Sequence, residues 1–381
     1  MSVIAVRGLT KRFGSVVAVD DLHLDVRDGE LMALLGPSGC GKTTTLRTIA
    51  GFELPDAGEI HFGEHRVTAL PPEQRNIGMV FQNYALFPHM TVYGNVAFGL
   101  EMRKEPTASV RARVTATLEK VQLGGLEGRY PRQLSGGQQQ RAALARALVI
   151  APDVLLLDEP LANLDAKLRE EMRFYVRSLQ QEVGITTIYV THDQAEAMVI
   201  ADRIAVMFNG GIHQLGPPHE IYHHPQTWRV AEFIGLTNFI DGRIVGQEGD
   251  LLVLDTELGV LRCRGPAGSA ETTGASAQAG SARGRSGDAK PERLIAVRPE
   301  AIQLTQGRAL AGEARLNRLP GVVRAQAFLG NFVDYRVEVA PGVLLRVQGD
   351  PQARFAVGDH VEASFDPAAM WTVPAREEAE A

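Results

Sequence analysis

Cysteine is nearly absent, with two residues in 381: Cys40 inside a glycine-rich loop and Cys263 far downstream. Two such separated thiols form neither a disulfide framework nor a metal-ligand spacing, so both are read as reduced. Long apolar runs are missing as well. A membrane-crossing helix needs about 18 or more consecutive apolar residues, whereas the best runs here, Leu31–Leu35 and 154–157, are strand-sized. Contact with a membrane is therefore expected to go through other proteins. The opening MSVIAVRGLTKRF lacks a basic stretch, a long apolar segment and a small-residue cleavage site, which predicts a cytosolic chain. Runs of Lys or Arg are lacking too, and the formal net charge is -6. That balance leaves no footprint for a phosphate backbone, so nucleic acid is not an expected partner.

What is present is ordinary globular usage, 45% hydrophobic and 22% charged, which excludes pervasive disorder. A chain of 381 residues outruns one hydrophobic core, so roughly two or three domains are expected. From Val3 to about Gly235, short apolar strands alternate with helix-period stretches, the pattern of an α/β domain with a largely parallel sheet. The clearest strands are Leu31–Leu35, 77–81, 154–157, 186–190 and 204–208. In open α/β sheets ligands gather at the C-terminal strand ends, so the chemistry is sought there. Strands stop between about 88 and 151, where Val110, Val114, Leu118 and Val121 share a helical face; a mostly helical subdomain is expected.

Beyond 236 the texture changes to alternating segments at 240–245, 251–254, 322–328, 335–339 and 343–347, which predicts a small all-β barrel or sandwich over 236–381. Residues 265–293 are rich in Gly, Ala, Ser and Thr without aromatics and are expected to form a flexible insertion. The acidic tail REEAEA is expected to be solvated.

Three motifs carry the chemistry. GPSGCGKT, residues 36–43, fits the phosphate-loop spacing and lies between a strand and a helical sequence, the context such a loop requires. Its glycines let backbone N–H groups turn inward around phosphate oxygens. Lys42 would reach the terminal phosphates and Thr43 would ligate Mg²⁺. A glycine-rich turn capping a helix is the plainer alternative. VLLLDEP, residues 154–160, is an apolar strand ending in two carboxylates, which a bound cation would explain; Asp158 is assigned to Mg²⁺ and Glu159 to the attacking water. LSGGQ, residues 134–138, puts Ser135, Gly136, Gly137 and Gln138 at the start of a good helix sequence. That is either an ordinary N-cap or another anion site.

In this order, GPSGCGKT, LSGGQ and VLLLDEP resemble the ATPase subunits of ATP-binding-cassette transporters, over about residues 3–235. The resemblance implies a P-loop nucleotide hydrolase cassette in residues 1–235 with a helical subdomain inserted at about 88–151. It implies ATP contacts from Gly36, Pro37, Ser38, Gly39, Cys40, Gly41, Lys42, Thr43 and Thr44, and from Phe13, Ser135, Gly136, Gly137, Gln138 and Asp165. Phe13 in KRFG matches the aromatic that stacks on adenine, more often Tyr in the family, and either ring offers a π face. Gln82 in VFQ matches the glutamine linking Mg²⁺ and the attacking water to the membrane subunit, and His192 in YVTHD the switch histidine; Asn163 to Asp165, NLD, match a loop that crosses a dimer interface. Catalysis would rest on Glu159, His192 and Gln82, with Mg²⁺ held by Thr43, Gln82 and Asp158.

The family places two cassettes head to tail around ATP, so one cassette per chain implies a homodimer. FIGLTNF at 233–239 and IAVRPEAIQL at 295–304 resemble the oligonucleotide-binding-like barrel of the import-type subset. The insertion at 265–293 departs from that pattern. IYHHP and AEFIG place the chain near sugar, polyamine and ferric-iron importers, while TNFIDG and FLGNFVDYRVEV lean toward polyamine or iron. The implied role is ATP hydrolysis driving import at the cytoplasmic face of the cell membrane, with two integral membrane permease subunits and an external substrate-binding protein. A soluble cassette ATPase of repair or translation would instead call for paired cassettes or a long coiled-coil arm, which the chain lacks. A purely regulatory cassette is disfavoured by the presence of Glu159 and His192.

Overall fold

Alternating side chains in β1 (Ile4–Phe13) and β2 (Val16–Val26) place Ile4, Val6, Leu22 and Leu24 inside and polar residues out, as a half-buried strand requires. These strands pair antiparallel, and a register shift between Val6 and Leu9 keeps Leu9 on the buried face. The next strand, β3 (Leu31–Leu35), is buried at all five positions and leads into α1 (Lys42–Ala50). After α1 come β4 (Ala57–Phe62), β5 (His65–Arg66) and β6 (Ile77–Val80). Strands β2, β1, β4 and β5, in that order, make an antiparallel four-stranded sheet. The computed structural model describes residues 4–265, 293–306, 316–353 and 355–374.

Helices α2 (Val92–Met102), α3 (Thr107–Lys120) and α4 (Gly136–Leu148) follow. Val110, Val114, Leu118 and Val121 are all buried, in accord with their 3.6-residue periodicity. The chain then alternates through β7 (Val154–Asp158), α5 (Ala166–Val183), β8 (Thr186–Thr191), α6 (Gln194–Ile200), β9 (Arg203–Phe208) and β10 (Gly211–Gly216). The six-stranded order is β10-β9-β3-β8-β7-β6. All neighbours are parallel except the β9–β10 hairpin at the edge. Helices cover such a sheet on both faces, which is why its central strands read as continuous apolar runs.

By contacts the chain divides into Met1–Ile221 and Tyr222–Ala381, earlier than the expected boundary after residue 235. Packing supplies the reason. Helices α7 (Pro218–His223) and α8 (Trp228–Phe233) end the linker, and Trp228 and Ala231 of α8 cluster with Phe239, Leu294, Ala296, Trp371 and Val373 of the second unit.

That second unit is all-β. Strands β11 (Asn238–Glu248), β12 (Leu251–Thr256), β13 (Gly259–Arg264) and β14 (Arg293–Val297) join the last strand of the chain to close a barrel. Beside it, β15 (Gln303–Gln306), β16 (Asn317–Phe328), β17 (Val333–Ala340), β18 (Val343–Gly349) and β19 (His360–Phe365) form a five-stranded sheet. The last strand, β20 (Met370–Pro374), lies between β13 and β14. One core, including Ile240, Leu254, Ile295, Leu319, Val337 and Phe365, is common to barrel and sheet. Apart from Gly265 and Arg293, the expected insertion at 265–293 lies outside the described residues, as does the acidic tail. No helix among the described residues is long and apolar enough to cross a membrane.

One buried cation sets the geometry behind the phosphate loop. Arg75, 2% exposed, donates from Nε to the Leu70 carbonyl at 2.7 Å and from Nη1 to Thr48 and Ile49 at 2.9 and 2.7 Å. Its Nη2 donates to Thr68 at 3.0 Å. Thr48 and Ile49 lie in the last turn of α1, where unpaired carbonyls and the helix dipole favour a cation. Burial lowers the guanidinium pKa to about 10, so it remains charged at neutral pH. Arg75→Met would leave the Ile49, Thr68 and Leu70 carbonyls without this donor, while Thr48 keeps the Gly51 N–H, and is expected to destabilise the chain by about 3 kcal/mol or more. Urea unfolding of the full chain reads the effect, and an unchanged midpoint would refute it.

Candidate functional site

Register brings the site together. Leu35 at the end of β3 pairs with Thr191 of β8, Asp158 of β7 pairs with Val190, and Val80 of β6 pairs with Leu157. The residues that follow, Gly36, His192, Glu159 and Gln82, therefore leave the sheet along one edge. The separate sequence motifs meet there because parallel strands point their C-termini the same way.

The loop after β3 is built around close approach. A Cβ on Gly36 would lie 2.3 Å from the Met207 carbonyl oxygen, and one on Gly41 would lie 2.3 Å from that of Ala18. Gly41 also has φ 102°, a left-handed conformation that glycine takes without Cβ strain. The contact with Ala18 of β2 sets the loop against the hairpin that carries Phe13, a residue 47% exposed with Lys11 Nζ 5.2 Å from its ring centroid. At the start of α1 the first amides have no carbonyl one turn back, which suits an anion. Lys42 is 5% exposed and donates to the carbonyls of Gly36 at 2.7 Å and Pro37 at 2.9 Å. The ammonium is thus folded into the loop itself. Cys40 is buried beside it, and burial raises its thiol pKa.

Thr43 Oγ1 donates to Asp158 Oδ1 at 3.2 Å, joining the loop to the end of β7. Burial pushes the Asp158 carboxyl up, against the opposing pull of the Thr43 hydrogen bond. An oxygen pair of hydroxyl and carboxylate suits a hard divalent ion, whose charge would hold Asp158 ionised. The donor set therefore fits Mg²⁺.

Next in sequence, Glu159 has φ 45°, a strained conformation for a residue with a Cβ. Its N–H donates to the Val190 carbonyl at 3.0 Å. The carboxylate is held from both sides: Oε1 lies 3.1 Å from His192 Nδ1, and Oε2 accepts from Gln82 Nε2 at 3.4 Å. Asn163 Nδ2 donates to the Gln82 carbonyl at 2.7 Å, tying the turn after Glu159 to the turn after β6.

The start of α4 is a capping box. Ser135 Oγ accepts from the Gln138 N–H at 3.4 Å, and Gln138 Oε1 accepts from the Ser135 N–H at 3.0 Å. Gly137 is buried under Leu168. Asp165 caps α5 by accepting from Leu168 N–H at 3.0 Å. Among the described residues no hydrogen bond or ion pair joins Ser135, Gly136, Gly137, Gln138 or Asp165 to loop 36–43.

Sequence reasoning missed the layer behind His192. Glu196, 3% exposed, accepts from Tyr189 OH at 2.9 Å and Thr191 Oγ1 at 2.8 Å, and burial raises its pKa. Asp193 accepts the Glu196 N–H at 3.1 Å and an Arg173 hydrogen bond at 2.9 Å. A cavity of about 50 Å³ lies between this layer and Glu159, with Arg169 on its wall. The Asp193-x-x-Glu196 spacing is a capping-box signal that could have marked α6 and its acid.

Comparison with known proteins follows this geometry. The family described as ABC transporter matches residues 19–162, and the TOBE domain family matches 295–373. An Fe(3+) ions import ATP-binding protein of Agrobacterium fabrum is 46% identical over 336 residues, 88% of this chain and 87% of that protein. A spermidine/putrescine import ATP-binding protein of Acidothermus cellulolyticus is 46% identical over 382 aligned positions, 97% of this chain and 92% of that protein. Among solved structures, cbiO1 of Clostridium perfringens, part of an ABC transporter complex, superposes with TM-score 0.54 at 32% identity, covering 57% of this chain and 89% of that one. A dimeric ATP-binding cassette bound to ADP and Pi superposes with TM-score 0.51 at 30% identity, covering 56% and 98%.

Lys42→Ala removes the loop's ammonium and its hydrogen bonds to the Gly36 and Pro37 carbonyls. The variant is expected to lose high-affinity ATP binding while still unfolding cooperatively as a folded protein. Equilibrium nucleotide titration checks this, and wild-type affinity in a folded variant would refute the phosphate-loop assignment.

Proposed function

Because the chain belongs to the ATPase subunits of import-type ATP-binding-cassette transporters, we propose that it works as a homodimer whose ATP hydrolysis drives cargo through two membrane permease subunits. The observation that carries the site assignment is the Glu159 carboxylate held between Gln82 and His192, next to the Thr43–Asp158 pair. In this reading loop 36–43 and Lys42 bind the phosphates, and Phe13 stacks on adenine. Thr43, Asp158 and Gln82 hold Mg²⁺, which when bound neutralises charge on the phosphate oxygens. Glu159 accepts the proton of the attacking water as its oxygen bonds to the γ-phosphorus and the bond to the bridging oxygen breaks. His192 orients Glu159 through Nδ1, leaving its other ring nitrogen to face the phosphate.

That Ser135 to Gln138 and Asp165 make no hydrogen bond or ion pair with the loop, among the described residues, supports the dimer. If those residues contact ATP, they do so from a second copy, so that each nucleotide is enclosed by two chains. The permeases and an external substrate-binding protein complete the assembly, with this subunit peripheral on the cytoplasmic face. For the cargo, the relatives described above point to ferric ion or a polyamine, as do the TNFIDG and FLGNFVDYRVEV segments; none of those relatives is a sugar importer.

Two measurements test this reading. Glu159→Gln keeps size and shape but loses basicity, so Mg²⁺ and ATP binding should persist while phosphate release falls by ~10² or more. Size-exclusion chromatography with ATP should show the variant as a dimer; wild-type turnover would refute the assignment of Glu159, and an inactive monomer with ATP bound would refute the two-chain site. For the cargo, the complex co-purified with its permeases and external binding protein should gain ATPase activity with ferric ion or spermidine. Stimulation by maltose alone would overturn the cargo reading.

A further inference from the structure

The segment between Gln82 and α2 is strained in its middle. Tyr84 and Ala85 have φ 60° and 47°, left-handed values that cost about 1 kcal/mol or more for each non-glycine residue. Two in succession need a compensating contact. At one end of the segment Asn163 donates to the Gln82 carbonyl at 2.7 Å. At the other, the fully buried Asn95 donates to the carbonyls of Phe87, Met90 and Thr91 and accepts the Phe87 N–H at 2.7 Å.

Between these ties stands Arg146, in the last turn of α4. Its Nη1 donates to the Ala85 carbonyl at 2.6 Å and its Nη2 to the Tyr84 carbonyl at 2.8 Å. The guanidinium also lies 5.6 Å from the centroid of the Phe87 ring. A planar fork can hold two successive carbonyls at once, which an ammonium cannot do with the same geometry. The strained pair follows Gln82 by two and three residues, and Gln82 reaches Glu159 at 3.4 Å. That distance is long for a hydrogen bond, so a small shift of the loop would break it.

We infer that Arg146 is a positioning residue for hydrolysis: it holds the left-handed turn at Tyr84 and Ala85 and thereby keeps Gln82 against Glu159. The inference rests on the site reading given above for Gln82 and Glu159. Arg146 belongs to the helix capped by Ser135 and stands about 15 Å along its axis from Gly136, so it acts on the loop from the far end of that helix.

The test is a double-mutant cycle on the full chain with Mg²⁺ and ATP. Arg146→Gln is expected to leave the KM for ATP within about twofold and to lower kcat about tenfold or more, the scale of a small misplacement of a reacting group. Arg146→Lys, which keeps the charge but not the fork, should recover kcat only in part. The decisive readout is coupling: Arg146→Gln combined with Gln82→Ala should turn over no more slowly than Gln82→Ala alone. A merely structural role would lower the melting temperature and multiply with Gln82→Ala. Multiplicative losses, or wild-type kcat in folded Arg146→Gln, overturn the inference while the site reading stands. Should Arg146→Gln fail to fold, Arg146→Lys carries the same cycle with the same two overturning outcomes. Wild-type kcat in Gln82→Ala would instead sink the role of Gln82, and this inference with it.

Discussion

Parallel pairing of β3 with β8, and of β8 with β7, is the constraint on which the site depends. A strand's side chains alternate faces with period two, so a slip of one residue would move each of them to the opposite face. It would also displace Gly36, Glu159 or His192 along the strand by about 3.3 Å, more than the hydrogen bonds joining these groups can absorb. The register is fixed by burial: Leu31–Leu35 and Thr186–Thr191 are buried at every position. Chemistry at the edge thus inherits its precision from apolar packing several residues away.

A second theme is the use of arginine to hold backbone carbonyls where no regular structure does so. Arg75 serves the end of α1, Arg146 the strained turn after Gln82, and, in the second unit, Arg298 serves the linker. Arg298 donates to the carbonyls of Tyr222, Ala231 and Leu236 and stacks 4.3 Å from the Tyr222 ring centroid and 5.3 Å from that of Trp371. Burial lowers the pKa of all three guanidinium groups. Lysine in these places would offer one compact charge in place of a flat fork and would neutralise more readily on burial. The carbonyls they bind lie at helix ends and in turns, where backbone acceptors lack a regular partner, so a buried cation satisfies them.

Much of the cassette fold was legible because its motifs are written in contiguous residues. GPSGCGKT, LSGGQ and VLLLDEP each specify a local backbone shape, and the central strands lie within one or two residues of their expected bounds. What was hidden depends on pairs distant in sequence. Nothing local announces that Arg75 closes α1, that Arg146 reaches Tyr84, or that Glu196 is buried under Tyr189. Residues 222–235 were grouped with the cassette, but apolar contacts place α8 with the β unit. There the alternation predicted a small all-β barrel or sandwich, and the unit is all-β, with a closed barrel and a five-stranded sheet around a common core. Alternation reports which face is buried, not which strand is the neighbour.

The strained positions bear on why the site has this form. Glu159, Tyr84 and Ala85 are all left-handed without being glycine. At Glu159 a glycine would relieve the strain but remove the carboxylate, so the side chain is kept and the backbone is held by the Val190 carbonyl. At Tyr84 and Ala85 the strain bends the chain immediately after Gln82, and Arg146 holds the bend. Left-handed backbone directs a side chain where an extended strand continuing from β6 or β7 could not. Gln82 and Glu159, which follow neighbouring parallel strands, meet at their polar ends. Strain of this kind persists only where the surroundings over-determine it. Here the surroundings are the buried strands beneath and the guanidinium beside.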